Sequence, residues 1–313
     1  MKSVIGIDIG GTITKIGIVS KGAEILKKTS FRTKDYKNFS SYINKIHSSI
    51  NKITSDNIEI LGVGIGAPNA SKNGTIETPA NLNWSGNLNL VETLKKKINL
   101  PVFLSNDANC AAIGEMMYGK AKNLKDFIVI TLGTGLGSGI VSNGKLIEGY
   151  DGFAAELGHF SINNSEGRLT GLGVKSGLEA YVSATGIKRT IMYMLSKYMN
   201  DSIFRGIAFN DLHGEDITKA AENNDFISMK AFEYTGKILG ETLANFVTFS
   251  QPEAIILTGG LAHSGKWILN PTIKSFNKNL LPFYQNKVKI LLSALEDKDS
   301  AILGSAALVW KKI

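Results

Sequence analysis

Cysteine is almost missing from this chain: Cys110 stands alone in 313 residues. That excludes an intrachain disulfide framework and a cysteine-rich zinc site, and it fits a reducing, cytoplasmic setting. No apolar run approaches the roughly 20 residues of a membrane-spanning helix. The start, Met1-Lys-Ser-Val-Ile-Gly-Ile7, is interrupted by Asp8 too early to form a signal-peptide core. A soluble, unexported protein with no membrane partner is expected. There is no Pro-, Ser- or Gln-rich linker and no low-complexity segment, so any hinge lies within compact structure. The formal charge of +8 comes from scattered lysines whose one tight run, Lys95-Lys96-Lys97, falls in a helix-like stretch. A solvated face accounts for that run better than a nucleic-acid partner does.

What the chain does have is glycine in two similar places, Asp8-Ile-Gly-Gly-Thr12 and Thr131-Leu-Gly-Thr-Gly-Leu-Gly-Ser-Gly139. The first follows the strand-like Val4-Ile-Gly-Ile7 and leads into Lys15-Ile-Gly-Ile-Val19, ending at Lys21-Gly22. The second follows Phe127-Ile-Val-Ile130 and leads into Ile140-Val141, ending at Asn143-Gly144. Both read as strand, loop, strand, turn, since Asn-Gly is a strong hairpin signal. A dinucleotide fold or a P-loop needs a helix after the glycines, and the P-loop also needs Gly-Lys-Ser/Thr. Neither loop has these, so backbone N–H groups at the bend become the candidate phosphate donors. Glycine suits that task because a side chain would block close approach. Either loop alone is equally well an ordinary glycine-rich turn; the duplication favours a nucleotide.

The length allows two α/β halves. Strands at Val4–Ile9 and Ile16–Val19 precede a helical stretch over about 38–53. Apolar Ile58–Ile65 runs into Gly66-Ala-Pro-Asn69, and Val102-Phe-Leu104 stops at Ser105-Asn-Asp107 before the helical Ala108–Tyr118. Strand ends of this kind are where α/β proteins hold ligands. Met229, Phe232, Gly236, Leu239, Leu243 and Phe246 recur at gaps of three and four, the buried face of a long helix that Pro252 ends. Ala254–Leu257 makes a strand running into Thr258-Gly-Gly-Leu261, and Asp299-Ser300 caps a last helix reaching Trp310. By position alone, Asp107 is best read as the cap of the helix at Ala108, although phosphorylating a hydroxyl also needs a base at such a strand end.

The ordered set Gly6-Ile-Asp-Ile-Gly-Gly-Thr12, Gly64-Ile-Gly-Ala-Pro68, Pro79-Ala-Asn-Leu-Asn-Trp84, Asn106-Asp-Ala-Asn109, Thr131 to Gly139, Glu156-Leu-Gly-His159, Leu178-Glu-Ala-Tyr181 and Thr258-Gly-Gly260 spans nearly the whole chain. It resembles the ROK family (repressor, open reading frame, kinase), and within it the glucokinase-like sugar kinases. The resemblance implies the actin-like, ribonuclease-H-like α/β fold: a small domain over 1–108, a larger one over 109–298 with a cleft between them, and a final helix over 299–313 returning to the first. It also implies ATP and Mg²⁺ as cofactors, a hexose as substrate and a homodimer through the larger domain.

Site roles follow from the same resemblance. Asp107 matches the general base and Asn106 a sugar-hydroxyl ligand. Glu156, His159 and Glu179 match groups that hydrogen-bond the anomeric end of the sugar, with Asn69 and Asn81 as further contacts. Asp8 is expected to hold Mg²⁺ through water, Gly10, Gly11 and Thr12 to meet phosphate, and Lys15 to add charge. Thr131, Gly133, Thr134 and Gly135 are expected at the phosphates too, and Gly259 and Gly260 beside the adenosine. One departure stands out. Many members hold a structural zinc with the motif histidine and three cysteines, whereas this chain has Thr170, Leu172 and Gly177 at the cysteine positions and Ser176 in place of a glycine. His159 alone cannot hold zinc, so zinc is expected to be absent, with either packing around Leu172 in its stead or a looser loop. The activity implied is transfer from ATP to the 6-hydroxyl of glucose or a related hexose. N-acetylhexosamine, mannose or fructose are alternatives, as is a sugar-binding remnant without turnover. A sugar-responsive regulator needs a helix-turn-helix before the kinase-like part, and a first strand at Val4 leaves no room for one.

Overall fold

The computed structural model describes residues 1–79, 82–162, 167–295 and 297–313. They form two units, each discontinuous in sequence: Met1–Lys125 with Gly139–Ala155 and Ala294–Ile313, and Asp126–Ser138 with Glu156–Ser293. The first unit includes the whole helix that begins at Asp107.

In the first unit β1 (Lys2–Ile9), β2 (Ile13–Ser20) and β3 (Ile25–Arg32) form an antiparallel meander. β4 (Glu59–Ala67) and β7 (Val102–Asn106) lie parallel to β1, giving the order β3-β2-β1-β4-β7. Between them come α1 (Phe39–Ile53), the two-residue strands β5 (Ile76–Glu77) and β6 (Asn87–Leu88), and α2 (Leu90–Lys95). Isoleucine dominates because β-branched side chains suit the pleat: Ile5, Ile7, Ile9, Ile16 and Ile18 are all buried, against Tyr42, Ile43, Ile46 and Ile50 of α1. Those α1 positions repeat at helical spacing and face the sheet. Burying each such side chain stabilises the unit by roughly 1.5–3 kcal/mol. Asn38 caps α1 by accepting from Ser41 N (2.8 Å).

The other face of this sheet is covered by α3 (Asp107–Tyr118) and the last helix, α8 (Asp297–Trp310), through Ile302, Leu303, Ala306 and Val309 on Val4 and Val19. Glycine makes that approach possible. A Cβ at Gly6 would collide with the Ile302 carbonyl, and one at Gly64 with the Ser305 carbonyl.

The second unit begins a sheet that repeats the plan. β8 (Phe127–Leu132), β9 (Leu136–Ser142), β10 (Lys145–Leu146), β11 (Ala254–Thr258) and β12 (Lys289–Leu292) are ordered β10-β9-β8-β11-β12, with β11 parallel to both β8 and β12. β9 carries the chain out of this unit at Ser138. Its helices are α4 (Ala184–Lys197), α5 (Gly214–Glu222), α6 (Phe226–Ser250) and α7 (Lys266–Asn279). α6 is the long helix expected from the sequence; it starts at an Asp225 cap and stops where Gln251 turns left-handed (φ 40°) before Pro252. Both sheets therefore begin with a hairpin whose bend is a glycine loop and continue with parallel strands on the far side of its first strand.

Candidate active site

The strand register brings one group of the expected residues to a single edge of the first sheet. Asp8 pairs with Gly66, and Ala67 with Asn106, so β1, β4 and β7 all end there. Beyond β1 the chain bends through Gly10-Gly11-Thr12, closed by Gly10 N–H donating to the Ile13 carbonyl (3.1 Å). Gly11 and Thr12 N–H make no hydrogen bond among the described residues. Lys15 stands opposite Asp8 in the hairpin register. Asn69, just past β4, has φ 52°, and its Nδ2 donates to the Glu77 carbonyl (3.0 Å). The amide therefore shapes its own turn. Asn81 lies outside the described residues.

At the end of β7 the helix cap differs in detail from the sequence reading. α3 begins at Asp107 itself, and Asn106 is its cap, Oδ1 accepting from Ala108 N (2.8 Å). Asp107 Oδ1 accepts from the same N–H at 2.8 Å. One carboxylate oxygen is thus engaged with the helix start, and the side chain as a whole is open to solvent. Although the residue is exposed, desolvation by the protein packed around its carboxyl group, opposed by the Ala108 hydrogen bond, raises that group above the usual carboxylate range. Asp8 is pushed up to about 6 by burial and then by the charge of Asp107, with Lys15 acting the other way. Two close carboxyls and one lysine leave negative charge uncompensated when both ionise. A hard cation with oxygen ligands fits that donor set, with Asp8 to hold it.

A second group lies within the second unit. The loop Gly133-Thr134-Gly135 joins β8 to β9; Thr131 Oγ1 accepts from Gly137 N (3.1 Å). The loop is pinned on the start of α4, where Ala184 N donates to the Gly133 carbonyl (2.8 Å) and Thr185 Oγ1 to that of Thr134 (3.0 Å). Ser183 caps α4 by accepting from Gly186 N (3.0 Å), a serine before a helical pattern that the sequence could have shown. Gly259 has φ 91° and backs onto Leu132, where a Cβ would sit 2.8 Å from its carbonyl oxygen, so glycine is required. Gly260 has open space around it.

Glu156 is exposed, whereas His159 has a buried Nδ1 with no hydrogen-bond partner among the described residues. Glu179 serves a purpose beyond the expected sugar contact. Its Oε2 accepts from Leu136 N (3.0 Å) and its Oε1 from Gly171 N (3.0 Å), tying the glycine loop to the segment that lacks the cysteines.

That segment is not held by Leu172, which is 58% exposed. Thr170 is buried instead, and its hydroxyl accepts from Val174 N (3.1 Å) while its N–H donates to the Val174 carbonyl (2.9 Å). Leu169 bridges to Lys175, and Ser176 N donates to the Arg168 carbonyl (2.9 Å). A Cβ at Gly177 would strike the Thr170 methyl. Backbone hydrogen bonds and one threonine brace the loop, and among the described residues no group of three or more His, Cys, Asp or Glu side chains is arranged to hold a metal ion.

Sequence reasoning missed the hydroxyls of Thr14, Thr33 and Tyr42 beneath the first glycine bend; no spacing or motif marks them.

Comparison with known proteins gives a consistent picture. The model of the ROK family matches residues 4–312. The glucokinase of Thermotoga maritima is 30% identical over 99% of this chain and 98% of its own. A ROK family glucokinase from Streptomyces griseus, solved in complex with glucose and AMPPNP, superposes with a TM-score of 0.83 at 29% identity, covering 98% of each chain. The xylose repressor of Caldicellulosiruptor bescii is 28% identical over 98% of this chain and 78% of its own.

Proposed function

The chain belongs to the ROK family, and we propose that it acts there as an ATP-dependent sugar kinase, passing the γ-phosphoryl group to the 6-hydroxyl of glucose or a related hexose. The observation that carries this reading is the carboxyl of Asp107, raised in pKa, reachable by solvent and set at the strand edge beside Asp8 and the first glycine bend. A raised carboxyl is a better proton acceptor once ionised, which is what a hydroxyl nucleophile needs as it attacks phosphorus. Asn106, with Oδ1 committed to the helix, offers its Nδ2 to a sugar oxygen. We assign His159 and Glu156 to further sugar hydroxyls; a sugar lacking the one at His159 leaves its buried Nδ1 unpaired.

The bare N–H groups of Gly11 and Thr12 are the phosphate donors of the first loop. Thr131 and the Gly133–Gly135 backbone take the corresponding role in the second, and Gly259 and Gly260 give the adenosine a flat approach. Asp8 would hold Mg²⁺, which would supply neutralisation of the charge developing on the phosphates. A homodimer and a cytoplasmic location complete the proposal, by analogy with the family.

A coupled ADP assay over glucose, mannose, fructose and N-acetylhexosamines tests it. Asp107→Asn is expected to lower turnover by about 10²–10⁴-fold. Undiminished ADP formation by that variant with every sugar would sink the assignment.

A further inference from the structure

Beneath the first glycine bend lie three buried hydroxyls in a line. Thr33 Oγ1 donates to the Gly10 carbonyl at 2.7 Å. Thr14 Oγ1 lies 2.9 Å from Thr33 Oγ1, and the Tyr42 hydroxyl 2.7 Å from Thr14 Oγ1. All three residues are fully or almost fully buried. Their direction can be worked out from the end of the line. A carbonyl only accepts, and each hydroxyl has one proton to give. The Thr33 proton goes to Gly10, so the Thr14 proton goes to Thr33 and the Tyr42 proton to Thr14. Tyr42 keeps its proton throughout the ordinary pH range: burial raises its phenol, with the Thr14 hydrogen bond opposing and the charge of Asp8 adding.

Two further contacts make the line rigid and dry. The backbone N–H of Thr33 donates to the Thr12 carbonyl (2.9 Å), so Thr33 holds the bend at two points. The Tyr42 ring packs on Trp84 with centroids 4.3 Å apart, and Trp84 Nε1 donates to the Tyr36 carbonyl (3.1 Å). Hydrogen bonds in series polarise one another, more so away from water. The carbonyl at the end of the series shares a planar peptide with the N–H of Gly11. Charge drawn toward that oxygen makes the nitrogen at the other end of the same peptide a stronger donor, and the planarity fixes where it points.

We propose that the line Tyr42–Thr14–Thr33 positions the nucleotide: it aims the Gly11 N–H at a phosphate oxygen and strengthens it, which makes Thr33 and Tyr42 positioning residues for the reaction. This inference rests on the reading of the first bend as a phosphate loop.

Calorimetric titration of the whole protein with Mg²⁺-AMPPNP, and separately with glucose, tests it. Thr33→Val removes the hydroxyl that reaches Gly10 and is expected to weaken nucleotide binding about tenfold, the effect of one lost buried hydrogen bond. Tyr42→Phe, which leaves Thr14 still able to donate, is expected to weaken it less, about threefold. Thr33→Ser keeps the hydroxyl and is expected to restore binding to within about twofold of the parent. Glucose affinity stays unchanged in all three. Unaltered nucleotide affinity in Thr33→Val, or equal losses for nucleotide and glucose, overturns the relay alone. A parent protein that binds glucose but no nucleotide overturns the phosphate-loop reading and the relay with it. Should Thr33→Val fail to fold, Tyr42→Phe carries the test, since it leaves every contact with Gly10 in place.

Discussion

Asp8 shows how a single residue links charge, stability and ligand. Its carboxyl is raised from 3.8 to about 6 in the folded chain. Between those values the folded state holds a proton that the unfolded state has released. The stabilisation from this group is therefore complete below the lower value and lost as pH rises through the upper one. A bound cation reverses the balance by favouring the ionised form. We expect Mg²⁺-AMPPNP to raise the melting temperature more at about pH 7.5 than at about pH 5, and Asp8→Asn to remove that difference; a melting series at the two pH values decides. That Asp8, Asn106 and Asp107 lie at strand ends was legible because each follows an apolar run, whereas the roles expected of them came from the resemblance alone. Thr33 and Tyr42 were not, since a buried threonine or tyrosine carries no signal until the fold shows what its hydroxyl meets. The two engaged oxygens of Glu179 were hidden for the same reason: its partners, Leu136 N and Gly171 N, are backbone groups far from it in the chain.

Among elements, those with a clear period were legible. The hairpin β1–β2 is rich in β-branched residues on both sides of the Gly10-Gly11 bend, and α6 keeps its apolar face over several turns. β3 did not stand out because Lys27, Lys28 and Thr29 interrupt it at the sheet edge, where solvent tolerates them. β5 and β6, two residues each, are too short to have a period. Glycines inside β1 and β4 weaken a strand reading by composition, and the structure gives their reason in α8. Gly64→Ala drives a methyl into the Ser305 carbonyl and is expected to cost about 1–3 kcal/mol. Gly214→Ala, at the open first position of α5 where an added methyl meets nothing, is expected to be neutral or to stabilise by about 0.4–1 kcal/mol. Urea unfolding of the two variants provides the comparison, and equal stabilities would discount the close packing of α8 on β4.

For the whole molecule, the α/β fold in two halves was legible because the glycine hairpin occurs twice. The chain's passages between units, after Lys125, Ser138, Ala155 and Ser293, were not legible. They fall inside β9 and in short connections with no change in composition. A fragment of residues 1–125 lacks α8, leaving Val4 and Val19 without Ile302, Ala306 and Val309. Such a fragment is expected to show no cooperative melting transition, as read by circular dichroism; a sharp transition near that of the whole protein would contradict the role given to α8. The braced Thr170 loop leads to an expectation about the purified protein. Elemental analysis should find zinc well below one per chain, and stoichiometric zinc would require ligands other than the replaced cysteines.

The helix that covers the glycine-bearing face of the first sheet begins at Asp297 and is made long after β7 completes that sheet at Asn106. At typical synthesis rates of 5–20 residues per second, the stretch from Asn106 to Asp297 takes on the order of 10–40 s, so the completed sheet waits that long before α8 is made. Throughout that interval a face of bare backbone and valine is open to other strands and to chaperones. Faithful production of this protein in the cell thus depends on how well its earliest sheet is sheltered until that helix has been made.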